Sequence, residues 1–139
     1  MAKEVVNVEW MENMAFKAVV NDHEIVIDAV DNVGGEDRGP RPKPLMLASL
    51  AGCTGMDVIS ILKKMRVEPD YFNVVVEGEL TEEHPKHFYK MHVIYEFKGK
   101  NLPMEKLKKA VSLSEDRYCG VSVTYKQTME LTSEIKILD

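Results

Sequence analysis

Two cysteines are the residues of this sequence best suited to chemistry, because a thiolate is both a nucleophile and a redox centre. Cys53 lies in the segment "LASLAGCTGMDVISILKKMR", with Gly52 directly before it and Gly55 two residues after it. A glycine costs a helix about 1 kcal/mol relative to alanine. Two glycines beside a cysteine therefore suggest that a substrate or another backbone comes close to the sulfur.

Each cysteine also has a purely structural interpretation. Free cysteine is among the most buried residue types, so Cys53 could be a small hydrophobic residue of the core. Helical periodicity instead predicts that it shares a polar stripe with Asp57, Ser60 and Lys64. The residues after Cys119 predict a short helix whose N-terminus would favour a thiolate. A buried cysteine at the end of an element fits that position as well, and both interpretations stay open.

Charged residues near Cys53 bear on whether its sulfur is ionised. Arg38 and Arg41 lie in the loop before the predicted helix, and they could supply the positive field that favours a thiolate. Asp57 follows one helical turn after Cys53, and an unpaired carboxylate there would raise the pKa of the thiol. The spacing favours a solvated Asp57 or one paired with Lys64.

Histidines are concentrated in "HPKHFYKMH", which raises the possibility of a metal site. His87 and His92 have opposite parity on a predicted strand, so their side chains point to opposite faces. The spacing of the two cysteines matches no zinc motif. The sequence therefore predicts no metal site. It contains no phosphate loop, no nucleophile elbow and no paired-carboxylate motif.

The composition describes a soluble globular protein. The chain has 139 residues, 45% of them hydrophobic and 29% charged, which predicts a single domain over residues 1–139. A net charge of −5 argues against a nucleic-acid partner. We expect no membrane span, since no apolar stretch approaches the roughly 18 residues required. The N-terminus lacks the apolar core of a signal peptide, and we expect a cytoplasmic protein.

Hydrophobic periodicity predicts an α+β fold with mostly antiparallel strands. The first half of its long helix is apolar on nearly all sides, which predicts a homodimer packed along this helix. The predicted elements, in order, are three strands near residues 6–10, 16–20 and 25–29, a loop at 31–44, the long helix at about 45–65, a hairpin with strands near 71–81 and 88–99, a second helix from Pro103, a short helix, and a last strand at 129–137.

Two motifs carry a family resemblance. The segment "RPKPLMLASLAGCTGMDVISILKKMR" and the later "LSEDRYCGVSVTY" resemble the two cysteine motifs of the family of osmotically inducible protein C and organic hydroperoxide resistance protein. The order of elements agrees as well, so the resemblance extends over essentially the whole chain. Within the family, the sequence is more similar to the OsmC-like branch than to the dedicated hydroperoxide reductases.

The resemblance implies both a fold and an activity. The fold would be an intertwined α+β homodimer with antiparallel sheets around a long buried central helix. The activity would be that of a cysteine-based peroxidase, an antioxidant oxidoreductase of the oxidative stress response. Cys53 matches the peroxidatic cysteine and Cys119 the resolving one, while Gly52, Gly55 and Met56 would line the substrate pocket. The partners would be an organic or hydrogen peroxide and a dithiol reductant, of lipoyl type or another thiol. The resemblance implies no metal and no bound organic cofactor.

The sequence departs from the peroxidase pattern at two places. Peroxidase members use an arginine from the N-terminal hairpin to lower the pKa of the thiol, and a glutamate before the long helix to hold it. Residues 1–37 contain no arginine, and the segment before the helix reads Pro42-Lys43-Pro44. Arg38 or Arg41 would have to substitute. Two alternatives stay open: an OsmC-like redox-sensing or small-ligand-binding protein without efficient turnover, and a structural dimer with inert thiols.

Overall fold

The fold consists of two compact units, each with its own three-stranded sheet. The computed structural model describes residues 2–139; one unit ends at Met46 and the other runs from Leu47 to Asp139. The single-domain assignment stays a prediction.

The observed elements confirm the predicted order of an α+β fold. The strands are Asn7–Trp10 (β1), Phe16–Val20 (β2), His23–Ile27 (β3), Tyr71–Leu80 (β4), Phe88–Lys98 (β5) and Glu130–Ile137 (β6). The helices are Pro44–Lys64 (α1), Met104–Leu113 (α2) and Gly120–Lys126 (α3). A short 3-10 helix spans Asp31–Val33, and a π-helical turn, Ser114–Tyr118, lies between α2 and α3.

The N-terminal unit is an antiparallel meander in the order β1-β2-β3. Asn21 and Asp22 both have positive φ, as a tight two-residue hairpin requires, and asparagine and aspartate tolerate that conformation best after glycine. Val20 and His23 then pair directly across the turn. The turn chemistry read from the sequence thus accounts for the β2–β3 register.

The loop after β3 lies directly against the end of that strand. A side chain at Gly35 would overlap the carbonyl oxygen of Ala29, and one at Gly39 would overlap that of Val26. Asp28 is buried, and its carboxylate accepts hydrogen bonds from the backbone amides of Ala29, Glu36 and Arg38. The loop predicted at residues 31–44 is therefore held by close backbone contact and by one buried acid.

The C-terminal unit has the sheet order β4-β5-β6. The antiparallel hairpin of β4 and β5 is as predicted, but β6 pairs with β5 in parallel. A parallel neighbour requires a crossover connection, and α2, the π-helical turn and α3 form it. The connection that makes the β5–β6 pair parallel is thus the segment that contains Cys119.

One side of α1 forms the core of the C-terminal unit. Leu50, Thr54, Val58 and Leu62 recur every four residues and are buried. They share the core with the inward side chains of β5, and burying each leucine or valine contributes about 1.5–3 kcal/mol to stability. On its other side α1 exposes Met56 and Ile59, at 74% and 41%. Burial of α1 on all sides is thus the part of the prediction that depends on a partner.

The length of α1 corrects one expectation. Among residues 2–139, α1 is the one helix long and apolar enough to cross a membrane, with a mean hydropathy of 1.8 over 18 residues. Length and composition alone do not distinguish a membrane span from a core helix. The buried stripe and the hydrogen bond between the hydroxyls of Thr54 and Tyr95, which lies on β5, make α1 the core helix of its unit.

The hydrogen bonds that the buried Asp28 carboxylate accepts from backbone amides predict that stability depends on pH. Burial alone would raise the pKa of Asp28, but the amides of Ala29, Arg38 and Glu36 hold that pKa below its ordinary value. The stabilisation is then present above the unfolded-state pKa and is lost as the pH falls through the lower folded-state pKa. We expect Asp28→Asn to lower the thermal midpoint at pH 7 and to reduce its change between pH 7 and pH 3.

Thermal unfolding followed by circular dichroism at several pH values measures this effect. The exposed Asp31 provides the matched control, because Asp31→Asn makes the same chemical change without removing a buried acceptor. Equal thermal midpoints for Asp28→Asn and wild type at pH 7 would contradict the proposed stabilisation by the Asp28 carboxylate.

Candidate thiol site

The structure brings the two cysteines together. Cys53 lies in the middle of α1 and is partly exposed, whereas Cys119 lies directly before α3 and is fully buried. Both are free thiols. Their two sulfur atoms and a carboxylate oxygen of Asp57 all lie within 4.8 Å of one another. Only folding produces this group, because Cys119 is far from the other two residues in sequence.

Two local features position these side chains. Cys53 and Asp57 are four residues apart on α1, so they share one face of the helix. Cys119 directly follows the π-helical turn, and its amide donates a hydrogen bond to the carbonyl of Ser114 at 2.7 Å. Cys119 caps α3, and its sulfur accepts a hydrogen bond from the amide of Ser122 at 3.4 Å. Single π-helical turns occur frequently at functional sites.

A buried chain of hydroxyl groups begins at Asp57. The Ser114 hydroxyl donates to Asp57 at 3.0 Å and lies 2.8 Å from the hydroxyl of Thr54. Thr54 lies 2.8 Å from the hydroxyl of Tyr95, which donates to Glu115 at 3.0 Å. Because Thr54 has one proton for two contacts, it can donate to either neighbour. Since Ser114 and Tyr95 already donate to the two carboxylates, the single Thr54 proton serves one of its two contacts at a time.

Burial disfavours the ionised forms of Tyr95 and Cys119. Burial raises the pKa of the Tyr95 hydroxyl well above its ordinary value, so Tyr95 stays a hydrogen-bond donor at neutral pH. Burial also raises the pKa of the Cys119 thiol, although hydrogen bonds from Ser122 act in the opposite direction. Cys119 is therefore a neutral thiol at pH 7.

The structure gives Asp57 a hydrogen-bond partner that its spacing did not predict. Asp57 is half-buried and bonded to Ser114, which lies at the end of α2. Periodicity assigned it to the correct face of α1 but could not reveal what covers that face. On its outer side lies an open cleft of about 410 Å³, lined by Asp57, Ser60, Ile61, Lys64, Leu113 and Tyr118.

The residues predicted to line the substrate pocket differ in their surroundings. A Cβ atom at Gly52 would meet nothing within 4 Å, whereas one at Gly55 would lie 3.4 Å from the side chain of Val74 on β4. Both positions therefore have room for a Cβ atom, since 3.4 Å is an ordinary van der Waals contact. Met56 points outward. Their role at a substrate pocket stays a prediction.

The two arginines lie in the N-terminal unit, and each is paired there. Arg38 lies 3.6 Å from Glu12, and Arg41 lies 2.6 Å from Asp37. The second terminal nitrogen of Arg41, Nη1, is buried without a hydrogen-bond partner among the described residues. Activation of Cys53 by either arginine stays a prediction.

His92 takes part in a link between strands rather than in a histidine cluster. Its ring nitrogens lie 2.7 Å from the Thr132 hydroxyl and 2.6 Å from the Glu134 carboxylate, both on β6. His92 therefore connects the two parallel strands β5 and β6 through its side chain.

Sequence reasoning missed the buried hydroxyl chain as a functional group. Thr54, Ser114 and Glu115 lie within the two cysteine motifs and Tyr95 lies outside them, but the sequence assigned none of the four a role. One signal was present, because Tyr95 and Ser114 occupy inward positions of an apolar pattern on β5 and α2. A buried polar residue is more informative than a buried apolar one, since it must find a partner.

Removing the Thr54 hydroxyl tests the importance of this chain for stability. Thr54→Val keeps the volume but takes a buried partner from both Tyr95 and Ser114, and we expect a loss of about 1–3 kcal/mol in the free energy of unfolding. Urea denaturation measures it. Ser60→Ala, an exposed hydroxyl on the same helix, should change stability by less than about 0.5 kcal/mol. Similar values for the two variants would contradict the network.

Comparison with known proteins gives the family. Residues 34–134 match the OsmC-like protein family. Protein YhfA of Escherichia coli K12 is 29% identical over 132 residues, which cover 94% of this chain and 96% of YhfA. A hypothetical protein from Aquifex aeolicus VF5 has a crystal structure with a TM-score of 0.84 and 30% identity over the whole of both chains.

A hydroperoxide resistance protein shares the fold. The organic hydroperoxide resistance protein OhrB of Bacillus subtilis matches with a TM-score of 0.68 and 18% identity, over 97% of this chain and 98% of OhrB. This likeness establishes the fold alone. Together with the family match over residues 34–134, these findings mean that the chain belongs to the OsmC-like protein family.

Proposed function

We propose that the protein is a thiol-dependent peroxidase that reduces organic peroxides or hydrogen peroxide in the cytoplasm, as part of oxidative stress defence. The observation that carries the proposal is the pair of reduced sulfurs within 4.8 Å of each other, of which one is accessible and the other buried. The name of the structural relative OhrB, an organic hydroperoxide resistance protein, supports it.

The proposed reaction begins at Cys53, the partly exposed thiol. Its thiolate attacks one oxygen of the peroxide, the O–O bond breaks, and the other oxygen takes up a proton and leaves as an alcohol, or as water when the substrate is hydrogen peroxide. Cys53 becomes a sulfenic acid. The thiol of Cys119 then attacks that sulfur, so that a disulfide forms and water leaves. A dithiol reductant, of lipoyl type or another thiol, returns both cysteines to the thiol form.

The environment of Cys119 suits the second role. Its full burial keeps peroxide away, and its raised pKa holds it as a thiol until Cys53 has been oxidised. The two sulfurs must approach from at most 4.8 Å to bonding distance. Cys119 lies between a π-helical turn and a short helix, where a small backbone shift is less costly than within the long α1.

Asp57 is the proposed carrier of protons for both steps. Its carboxylate lies within 4.8 Å of each sulfur, so it can accept the proton of a thiol and return one to the leaving oxygen. The hydrogen bond from Ser114 connects it to the buried hydroxyl chain. Arg41 and Arg38 stay the candidates for activating Cys53. If the Cys53 thiol titrates as in wild type in both Arg41→Met and Arg38→Met, neither arginine has this role.

Single cysteine variants test the division of roles. We expect Cys53→Ser neither to consume peroxide nor to form a sulfenic acid, because it lacks the attacking sulfur. Cys119→Ser should consume about one equivalent of peroxide per chain and stop as a sulfenic acid, which excess peroxide converts to sulfinic acid. Wild type should form an intramolecular disulfide between Cys53 and Cys119, which mass spectrometry detects as the loss of two hydrogens.

Wild type incubated without peroxide and without reductant is the control for adventitious oxidation. Two free thiols after a modest excess of peroxide would contradict the two-cysteine mechanism. Disulfide formation without sustained peroxide consumption would favour the redox-sensing alternative.

We also propose that the protein is a homodimer packed along α1. Gly52, Met56 and Ile59 follow one another on the exposed side of this helix, and the open space at Gly52 would admit a second backbone. In the N-terminal unit, β1 exposes Val8 and Trp10, at 51% and 62%. Exposed apolar surface of this kind is typical of interaction sites.

Sedimentation at micromolar concentration should give about twice the chain mass of 15.8 kDa. Ile59→Asp should shift the protein towards monomer, because it would bury an unpaired charge in the interface. Ser60→Asp places the same charge one residue away as a matched control. Leu50 is unsuitable for this test, since it lies in the core of its own chain. A well-folded wild-type monomer would refute the dimer.

A further inference from the structure

The thiol site contains a set of metal ligands that the peroxidase mechanism does not require as a set. Among residues 2–139, Cys53, Asp57 and Cys119 form the one group of three metal-binding side chains whose ligand atoms lie close together, within 4.8 Å. Two sulfurs and one carboxylate oxygen are a ligand set that zinc accepts. The sequence offered no such pattern, because the third ligand comes from a distant segment.

The distances suit a small, thiophilic cation. Zinc binds sulfur at about 2.3 Å and carboxylate oxygen at about 2.0–2.2 Å, so tetrahedral ligand atoms lie roughly 3.5–3.8 Å apart. Ligand atoms within 4.8 Å of one another need a movement of about 1 Å or less to reach this geometry. Three protein ligands leave a fourth position for water. The cleft of about 410 Å³ beside Asp57 gives solvent access to the outer side of the site.

The surroundings orient the ligands. Ser114 donates a hydrogen bond to Asp57, and the amide of Ser122 donates one to the sulfur of Cys119. Such outer-shell hydrogen bonds orient metal ligands and tune the metal they bind. Two thiolates and one carboxylate bring three negative charges, and a divalent cation offsets two of them. Lys64, in the same cleft, adds a further positive charge nearby.

We propose that the reduced protein binds one zinc-class divalent cation per chain through Cys53, Asp57 and Cys119, and that the bound cation blocks both thiols. Binding releases the two thiol protons. If the proposed peroxidase function holds, on which this regulatory part rests, metal and peroxide compete for the same sulfurs. Oxidation to the disulfide removes two of the three ligands, so the cation is released as water and alcohol form.

Cobalt(II) is the probe of choice, because tetrahedral cobalt–thiolate sites absorb visible light and show sulfur-to-metal charge transfer. Reduced, metal-free protein should bind one equivalent of cobalt per chain, and zinc should displace it. Cys53→Ser and Cys119→Ser should each weaken binding by about 100-fold or more, since the loss of outer-shell partners alone costs 10–100-fold. Asp57→Asn should weaken it at least tenfold. Asp116→Asn removes an exposed acid and is the matched control.

Protection of the thiols provides a second measurement, which does not depend on a variant folding. With zinc at 100 times its dissociation constant about 1% of the sites are free, so alkylation of Cys53 in wild type should slow on the order of 100-fold. Peroxide consumption measured with and without zinc should slow similarly. Zinc release on peroxide addition is followed with a zinc-sensitive dye.

The outcomes separate this proposal from the proposed function. No charge-transfer absorption at one equivalent, or unchanged binding in both cysteine variants, overturns the metal site. Unchanged binding in Asp57→Asn overturns the three-ligand assignment. Equal rates of peroxide consumption with and without zinc overturn the claim that the bound cation blocks the two thiols. Cobalt binding with the expected variant pattern in a protein that consumes no peroxide supports the metal site while refuting the peroxidase.

Discussion

The buried hydroxyl of Thr54 is the contact on which the thiol site depends. It lies within hydrogen-bond distance of Tyr95 on β5 and of Ser114 at the end of α2. A hydroxyl buried without a partner costs about 1–3 kcal/mol, so this contact restricts how α1 can lie against the crossover. Cys53 and Asp57, on either side of Thr54 in sequence, then face Cys119.

The two sulfurs are close together yet lie in different environments. Cys53 lies on a helix whose outer side is open at Gly52, whereas Cys119 is enclosed by the core of the C-terminal unit. Full burial holds Cys119 as a neutral thiol. A two-cysteine oxidation needs one sulfur that attacks the substrate and a second that attacks the oxidised first sulfur, and unequal burial provides that difference. The same pair, with Asp57, also forms a ligand set for a thiophilic cation.

The parallel β5–β6 pair explains why Cys119 is where it is. A hairpin would have returned the chain directly to the sheet, but a parallel strand requires a crossover. α2 packs on the core through Leu107, Ala110 and Val111, and the π-helical turn then brings Ser114 and Cys119 inward. The local irregularity of the helix thus aims two polar side chains at α1.

The sequence by itself determined the elements and their order, because alternation and helical periodicity record which side of each element is apolar. It also identified Cys53 and Cys119, since their motifs resemble those of a known family. It did not predict the hydrogen bond from Ser114 to Asp57, because helical spacing favoured a solvated Asp57 or one paired with Lys64. Nor did it reveal the partnership of Thr54, Tyr95 and Ser114, or the parallel pairing of β6. These depend on which distant segment covers a given face, and local patterns carry no information about distance across the core. The tertiary structure decided them, and with them the chemistry available to the two cysteines.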